Sequence, residues 1–224
     1  MGLFLDGHGI PLAFGMTPDN SNEQKILQPL DQSVIRDFDL SKLIVCADSG
    51  LCSYNNRKFN NIANRAYVTI KPLKKLKEYL KEWSLDPKGW HLPNHTQEIN
   101  LHEIDHEDNE VVYYKERWIN ENGLEERLIV TFSPKYKHYC EKIRNGQIEI
   151  ALKQIDADKK PTKAKNQNDP RRFIQANHTT SQGEVANECF LSLKEKMVRN
   201  EQKYDGFYGV RSEEHTSELQ SRHN

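Results

Sequence analysis

Five consecutive apolar residues, Leu43, Ile44, Val45, Cys46 and Ala47, run directly into Asp48, Ser49 and Gly50. An apolar run with no polar alternation fits a strand covered on both faces, and such strands belong to sheets flanked by helices. The neighbouring segments agree with that frame. Residues 3–5 and 10–14 read as short strands joined by Asp6, Gly7, His8 and Gly9, because Asp-Gly between apolar runs marks a hairpin. After a loop at residues 17–21, Ile26, Leu27, Leu30, Val34 and Ile35 recur at helical spacing through Phe38, with Pro29 predicting a kink or two shorter helices. Residues 51–61 read as a helix and residues 67–70 as a further strand. Hairpin, helix, strand, helix, strand predicts an α/β fold with a mixed sheet.

The pattern changes at Pro72. Leu73, Leu76, Leu80 and Trp83 predict an amphipathic helix with lysines on its other side. Residues 111–118 and 125–132 read as strands paired around Asn122 and Gly123, followed by a helix over 136–155. Residues 159–172 are polar and carry Pro161 and Pro170, so they read as a linker or exposed loop. A short helix over 193–204 and a strand starting at 207–210 complete the reading. Trp83, Trp90 and Trp118 are expected in the core of this middle region rather than as base-stacking platforms.

The 32 basic and 33 acidic residues leave a net charge of −1, so whole-chain charge points to no polyanionic or polycationic partner. Cys46, Cys52, Cys140 and Cys189 show no C-x-x-C spacing, and the first two fall in segments that read as buried. That argues against a zinc knuckle or a disulfide framework and for a reducing compartment. No apolar stretch reaches membrane-spanning length and no signal peptide is evident. A cytoplasmic protein without a membrane partner is expected.

Asp48 is the strongest candidate for chemistry, since ligands of open α/β sheets gather outside the C-terminal ends of parallel strands. An aspartate there also commonly caps the next helix, and pattern alone favours the cap. A resemblance reverses that weighting. Residues 2–23, residues 43–50, residues 67–71 and residues 204–210 together resemble the catalytic domain of DDE-type insertion-sequence transposases with a β-rich insertion. The resemblance implies an incomplete ribonuclease-H-like mixed sheet with an inserted α+β subdomain. Its expected divisions are residues 1–71 as the first part of the catalytic core, 72–183 as insertion and linker, and 184–210 as the return to the core.

By the same resemblance, residues 43–50 correspond to the block of the second catalytic aspartate, which gives Asp48 a catalytic and metal-binding role with Mg2+, or Mn2+, as cofactor. The first aspartate is expected upstream of Met1 and the catalytic glutamate downstream of Val210; neither role passes to Asp6 or Glu213. The implied reaction is cleavage and transfer of DNA strands. DNA, as transposon ends and target, is the implied partner, with a homodimer in the full-length protein. A chain holding one carboxylate of the set is expected to be inactive alone. It is also expected to be marginally stable, because the strand bearing the first aspartate would lie between residues 3–5 and residues 43–47 and leave both edges open.

His102, Glu103 and His106 match the H-E-x-x-H spacing in which two histidines one helical turn apart bind zinc and the glutamate activates water. A zinc metallopeptidase is therefore the competing enzyme reading. Glu107, Asp108 and Glu110 follow at once and no apolar stripe marks a buried helix, so an exposed polar segment is favoured. Lys159, Lys160, Lys163, Lys165, Arg171 and Arg172 form the clearest basic cluster and are the candidate DNA-binding residues, in a working transposase or in a relic that only binds DNA. Residues 211–221 resemble the in-frame translation of a sequencing adapter. Residues 211–224 are accordingly expected to be an artefact outside the fold.

Overall fold

The computed structural model describes residues 2–16, 18, 22–62, 65–157, 163–179 and 185–213. Strands β1 (Gly2–Leu5) and β2 (Pro11–Gly15) form the expected hairpin. Its turn is shaped by Asp6, whose Oδ1 accepts the amides of His8 and Ile10 at 2.9 and 2.8 Å. Gly9 supplies the positive φ of 82° that residues with a Cβ rarely adopt. A 3-10 turn, Glu23–Ile26, leads into helix α1 (Leu27–Asp37). Pro29 lies in the first turn of α1, where its missing N–H has no intrahelical carbonyl to meet, so it bends nothing. Leu27, Leu30 and Val34 form the buried side of α1.

Next come strand β3 (Leu43–Ala47), helix α2 (Tyr54–Phe59), strand β4 (Arg65–Ile70) and helix α3 (Glu78–Leu85). Strands β5 (Tyr113–Glu121) and β6 (Leu124–Phe132) meet at Asn122 and Gly123, both with positive φ. Helix α4 (Pro134–Asp156) starts at Ser133, whose hydroxyl accepts the Tyr136 amide. Strands β7 (Ile174–Thr179) and β8 (Val185–Leu193), helix α5 (Glu195–Gln202) and strand β9 (Phe207–Ser212) follow.

Five of the strands make one mixed sheet in the order β3-β4-β9-β6-β5, parallel between β3 and β4 and antiparallel between β4 and β9. The mixed α/β sheet is as expected, but β3 does not occupy its centre. Among the described residues its one sheet neighbour is β4, while β1 pairs with β2 alone. Val45 of β3 is buried, and the alternate residues Ile44 and Cys46 are exposed. The unbroken apolar run therefore makes an edge with one uncovered face, and Cys46 is not the buried thiol the sequence predicted.

Two compact units emerge. The first comprises Met1–Ser84, Tyr114–Thr131 and Tyr208–Asn224; the second comprises Leu85–Tyr113 and Phe132–Phe207. Most of β5 and β6 thus belongs with β3 and β4, whereas the sequence reading began a separate subdomain at residue 72. The reason lies in β6, where Leu124, Leu128 and Val130 alternate inward and are buried as the first unit's core; each such side chain contributes about 1.5–3 kcal/mol. In the second unit, fully buried Trp90 packs against Phe132 and Phe207 at ring separations of 6.4 and 5.7 Å, and its indole N–H donates to the Asp86 carbonyl. Trp90 fulfils the expected core role. Trp83 and Trp118 do not: Trp83 lies beneath the cations of Lys115 and Arg117, and half-exposed Trp118 faces Arg127.

Candidate functional site

Asp48 follows the last residue of β3, beside β4, whose Thr69 is the register partner of Ala47. Its side chain is exposed. Oδ1 accepts the amides of Gly50 and Leu51 at 2.9 and 3.2 Å, which folds the Asp48–Leu51 turn over the carboxylate. Pattern alone predicted that Asp48 caps the next helix; instead its carboxylate closes a turn, and α2 is capped by Ser53, whose hydroxyl accepts the Asn56 amide. Cys52 closes the turn from the other side, its thiol 2.6 Å from the Asp48 carbonyl. Burial pushes that thiol up from its ordinary value, which disfavours its thiolate form.

The turn is tied to the sheet through Arg57. Arg57 Nη1 donates to the Cys52 carbonyl at 2.9 Å, and Nη2 donates to Glu121 Oε2 at 3.1 Å. Its Nε lies 2.7 Å from Glu126 Oε1 as an ion pair, with the N–H off the hydrogen-bond line. Glu126 is fully buried. It also accepts the Tyr67 hydroxyl at 2.6 Å and Arg211 Nη1 at 3.0 Å. Glu121 gathers Arg211 and Lys71 as well. Burial, reinforced by the hydrogen bond to Glu126, lifts the Tyr67 hydroxyl far above its ordinary value. Burial followed by the Arg211 charge lowers the Lys71 ammonium. Burial pulls Glu121 upward, but Arg211, Lys71 and Arg57 together hold it below its ordinary value.

This network was missed in the sequence. One signal was available: Glu126 stands at an inward position of β6, in register with Leu124, Leu128 and Val130, where a carboxylate requires partners. Arg211 and Ser212 extend β9 beyond Val210, and the Glu213 carboxylate accepts the Tyr67 amide at 2.6 Å. Packed residues thus continue three positions past the end expected for the fold. Residues 214–224 lie outside the described residues.

The other candidates separate. His102, Glu103 and His106 lie in successive turns and not on a helix, so the two histidines are not stacked one helical turn apart. The His106 ring instead meets Phe132 edge-on at 6.1 Å. Of the basic cluster, Lys159 and Lys160 lie outside the described residues, and Lys163 and Lys165 are exposed. Arg171 and Arg172 are committed elsewhere. Arg171 grips Asp169 at 2.6 Å, a hydrogen bond that holds the Asp169 carboxyl well below its usual range. Arg172 pairs with Glu201 and Gln147 and stacks on Phe173 at 4.1 Å. Two of the six proposed DNA contacts are thus held in intramolecular bonds.

No set of three His, Cys, Asp or Glu side chains converges as a cation site among the described residues. Asp48 supplies one carboxylate, with one oxygen already engaged by two amides. A Mg2+ ion requires octahedral oxygen ligation and gives up water reluctantly, so these residues do not hold it by themselves.

Comparison with known proteins bears on the same segment. The transposase DDE domain model matches residues 1–128, more than half of the chain. The chain belongs to the transposase DDE domain family. No curated protein and no solved structure matches it. The matched part of this DDE domain runs from β1 through β5 into β6 and contains Asp48, Arg57, Tyr67, Lys71, Glu121 and Glu126. It continues across Pro72 without interruption, as the sheet does. Among the described residues, no helix is long and apolar enough to cross a membrane.

Proposed function

We propose that this chain is part of the ribonuclease-H-like catalytic domain of an insertion-sequence transposase, with Asp48 as one of the carboxylates that hold Mg2+, or Mn2+, for DNA strand cleavage and transfer. The observation that carries this reading is the position of Asp48, at the C-terminal end of parallel β3 and inside the DDE match. A pair of divalent ions bound there would activate the attacking oxygen and stabilise the departing one. The chain's own contribution is positional. Gly50 and Leu51 orient the carboxylate, and Arg57 anchors the loop through the Cys52 carbonyl. Among the described residues β1 pairs with β2 alone and β3 with β4 alone, which leaves room beside each for a strand carrying a further carboxylate. In this reading DNA is the partner, and Lys163 and Lys165 are the described members of the basic cluster available to its phosphates.

Mn2+ binding followed by electron paramagnetic resonance, together with a cleavage assay on terminal-repeat DNA, tests the proposal. Weak Mn2+ binding, with Kd in the millimolar range as about 4 kcal/mol of binding energy implies, should disappear in Asp48→Asn, and neither protein should release cut DNA. Mn2+ binding that is indifferent to Asp48→Asn would exclude the metal-ligand role. Cleavage by the chain as it stands would show that one carboxylate suffices and remove the incomplete-site reading. The adapter origin of residues 211–224 is tested separately by resequencing the encoding locus.

A further inference from the structure

Helix α4 buries Pro134, Arg144 and Ala151 on its inner side. Its outer side carries a second, exposed apolar stripe. Tyr136, Ile143 and Ile150 recur at seven-residue intervals, with Tyr139 and Gly146 at the intervening positions and Lys153 ending the series. Tyr139 is 59% exposed, Ile143 47% and Ile150 48%. The Tyr136 and Tyr139 rings stack at 6.1 Å and 17° on the surface. Apolar residues at this spacing form the seam along which two helices pair. Gly146 adds an independent sign. A glycine inside a helix costs about 0.5–1 kcal/mol relative to alanine, yet a Cβ at this position would meet nothing within 4 Å. Among the described residues nothing requires the missing side chain, and the gap it leaves on the outer face would admit a side chain approaching from outside.

We propose that the outer face of α4 is the seam of a symmetric antiparallel pairing with a second copy of this chain. The pattern is complementary to its own reverse. Antiparallel alignment sets Ile143 against the partner's Gly146, Tyr139 against the partner's Ile150, and Tyr136 against the partner's Lys153. The twofold axis repeats each contact, as an isologous interface requires. A large side chain faces a gap in the first pair, two apolar groups meet in the second, and an ammonium meets an aromatic face in the third. Charge agrees with the alignment. Exposed Lys142 and Glu149 flank one side of the stripe, and the antiparallel register brings Lys142 to the partner's Glu149 twice. A parallel register would set Lys142 beside the partner's Gln147, whose amide already serves Arg172 and the Asn168 carbonyl within its own chain.

Sedimentation velocity of the whole chain over roughly 1–100 μM tests the seam. The expected result is a concentration-dependent dimer that Ile143→Asp or Ile150→Asp converts to monomer, with an unchanged melting temperature at concentrations where the parent is itself monomeric, since both side chains are exposed there. Lys142→Glu or Glu149→Lys should each weaken association by about tenfold, and the double charge reversal should restore it. A monomer at every concentration overturns the proposal, whatever else then covers the stripe. A double reversal as weak as its single parents overturns the antiparallel register.

Discussion

Asp31 of α1 accepts a 2.9 Å hydrogen bond from the Asn60 side-chain amide, in a site where both residues are almost completely closed to solvent. The remaining oxygens, Asp31 Oδ1 and Asn60 Oδ1, are both buried and have no hydrogen-bond partner. Two unpaired acceptors are costly beside a charged carboxylate. A proton on Asp31 gives one of them a donor. Burial raises the Asp31 carboxyl from 3.8 to about 6, against the opposing influence of Asn60 and the Arg65 charge. A carboxyl whose folded value lies above its unfolded one stabilises the fold below the unfolded value and loses that contribution as pH rises through the folded value. Stability should therefore fall between about pH 4 and 6, by roughly 3 kcal/mol from this group. Asp31→Asn should remove that slope and melt higher at pH 7. Urea midpoints measured from pH 4 to 7 on both proteins check it; parallel curves would show that Asp31 remains ionised.

The Arg57–Glu126 pair should behave in the opposite sense, as a charge pair that cannot lose one member. Arg57→Met leaves Glu126 buried with fewer donors, and Glu126→Gln leaves Arg57 with weaker acceptors. Each should cost about 3–5 kcal/mol. Because both act on one network, the double variant should cost clearly less than the sum. Denaturant melts of the four proteins measure the coupling, and strict additivity would mean the two residues act separately.

How much of this could be read from the sequence depends on how far apart the cooperating residues lie. The β1–β2 and β5–β6 hairpins were legible because Asp6 with Gly9 and Asn122 with Gly123 encode their turns locally. The β7–β8 pair was not. Its first strand, Ile174–Thr179, includes Gln175, Asn177 and His178 and offers little of the branched or aromatic character that marks strands. At the candidate site, Asp48 stood out through its strand and the family resemblance. Its anchor was hidden, because Arg57 meets Glu121 and Glu126 across more than sixty residues of chain. Periodicity showed that Leu43–Ala47 is a strand, but it could not show that β3 would have one sheet neighbour among the described residues.

Arg211 provides a test of where the fold ends. It contacts Glu121 and Glu126, but both carboxylates keep other partners: Arg57 and Lys71 for the first, Arg57 and Tyr67 for the second. A chain ending at Val210 also loses the pairing of Arg211 and Ser212 with β4 and the Glu213 acceptor of the Tyr67 amide, so it should lose more stability than Arg57→Met does. Thermal melts of the two variants decide this. A truncated chain as stable as the whole chain would mean that the pairing of residues 211–213 contributes nothing to the sheet.

The basic cluster yields the sharpest division of roles. Arg172 is wedged between Glu201, Gln147 and Phe173, so Arg172→Ala should destabilise the second unit by about 1–3 kcal/mol through unpaired partners and lost stacking. Lys163 and Lys165 are exposed, and replacing both with alanine should leave the melt unchanged. Their effect should appear with DNA instead. Each phosphate contact contributes about one unit to the slope of log affinity against log salt, so the double replacement should flatten that slope by roughly two and weaken binding alike for specific and random duplexes. Fluorescence anisotropy across a salt series reads both quantities. An unchanged slope would leave these lysines as solvated loop residues and place any phosphate grip elsewhere on the chain.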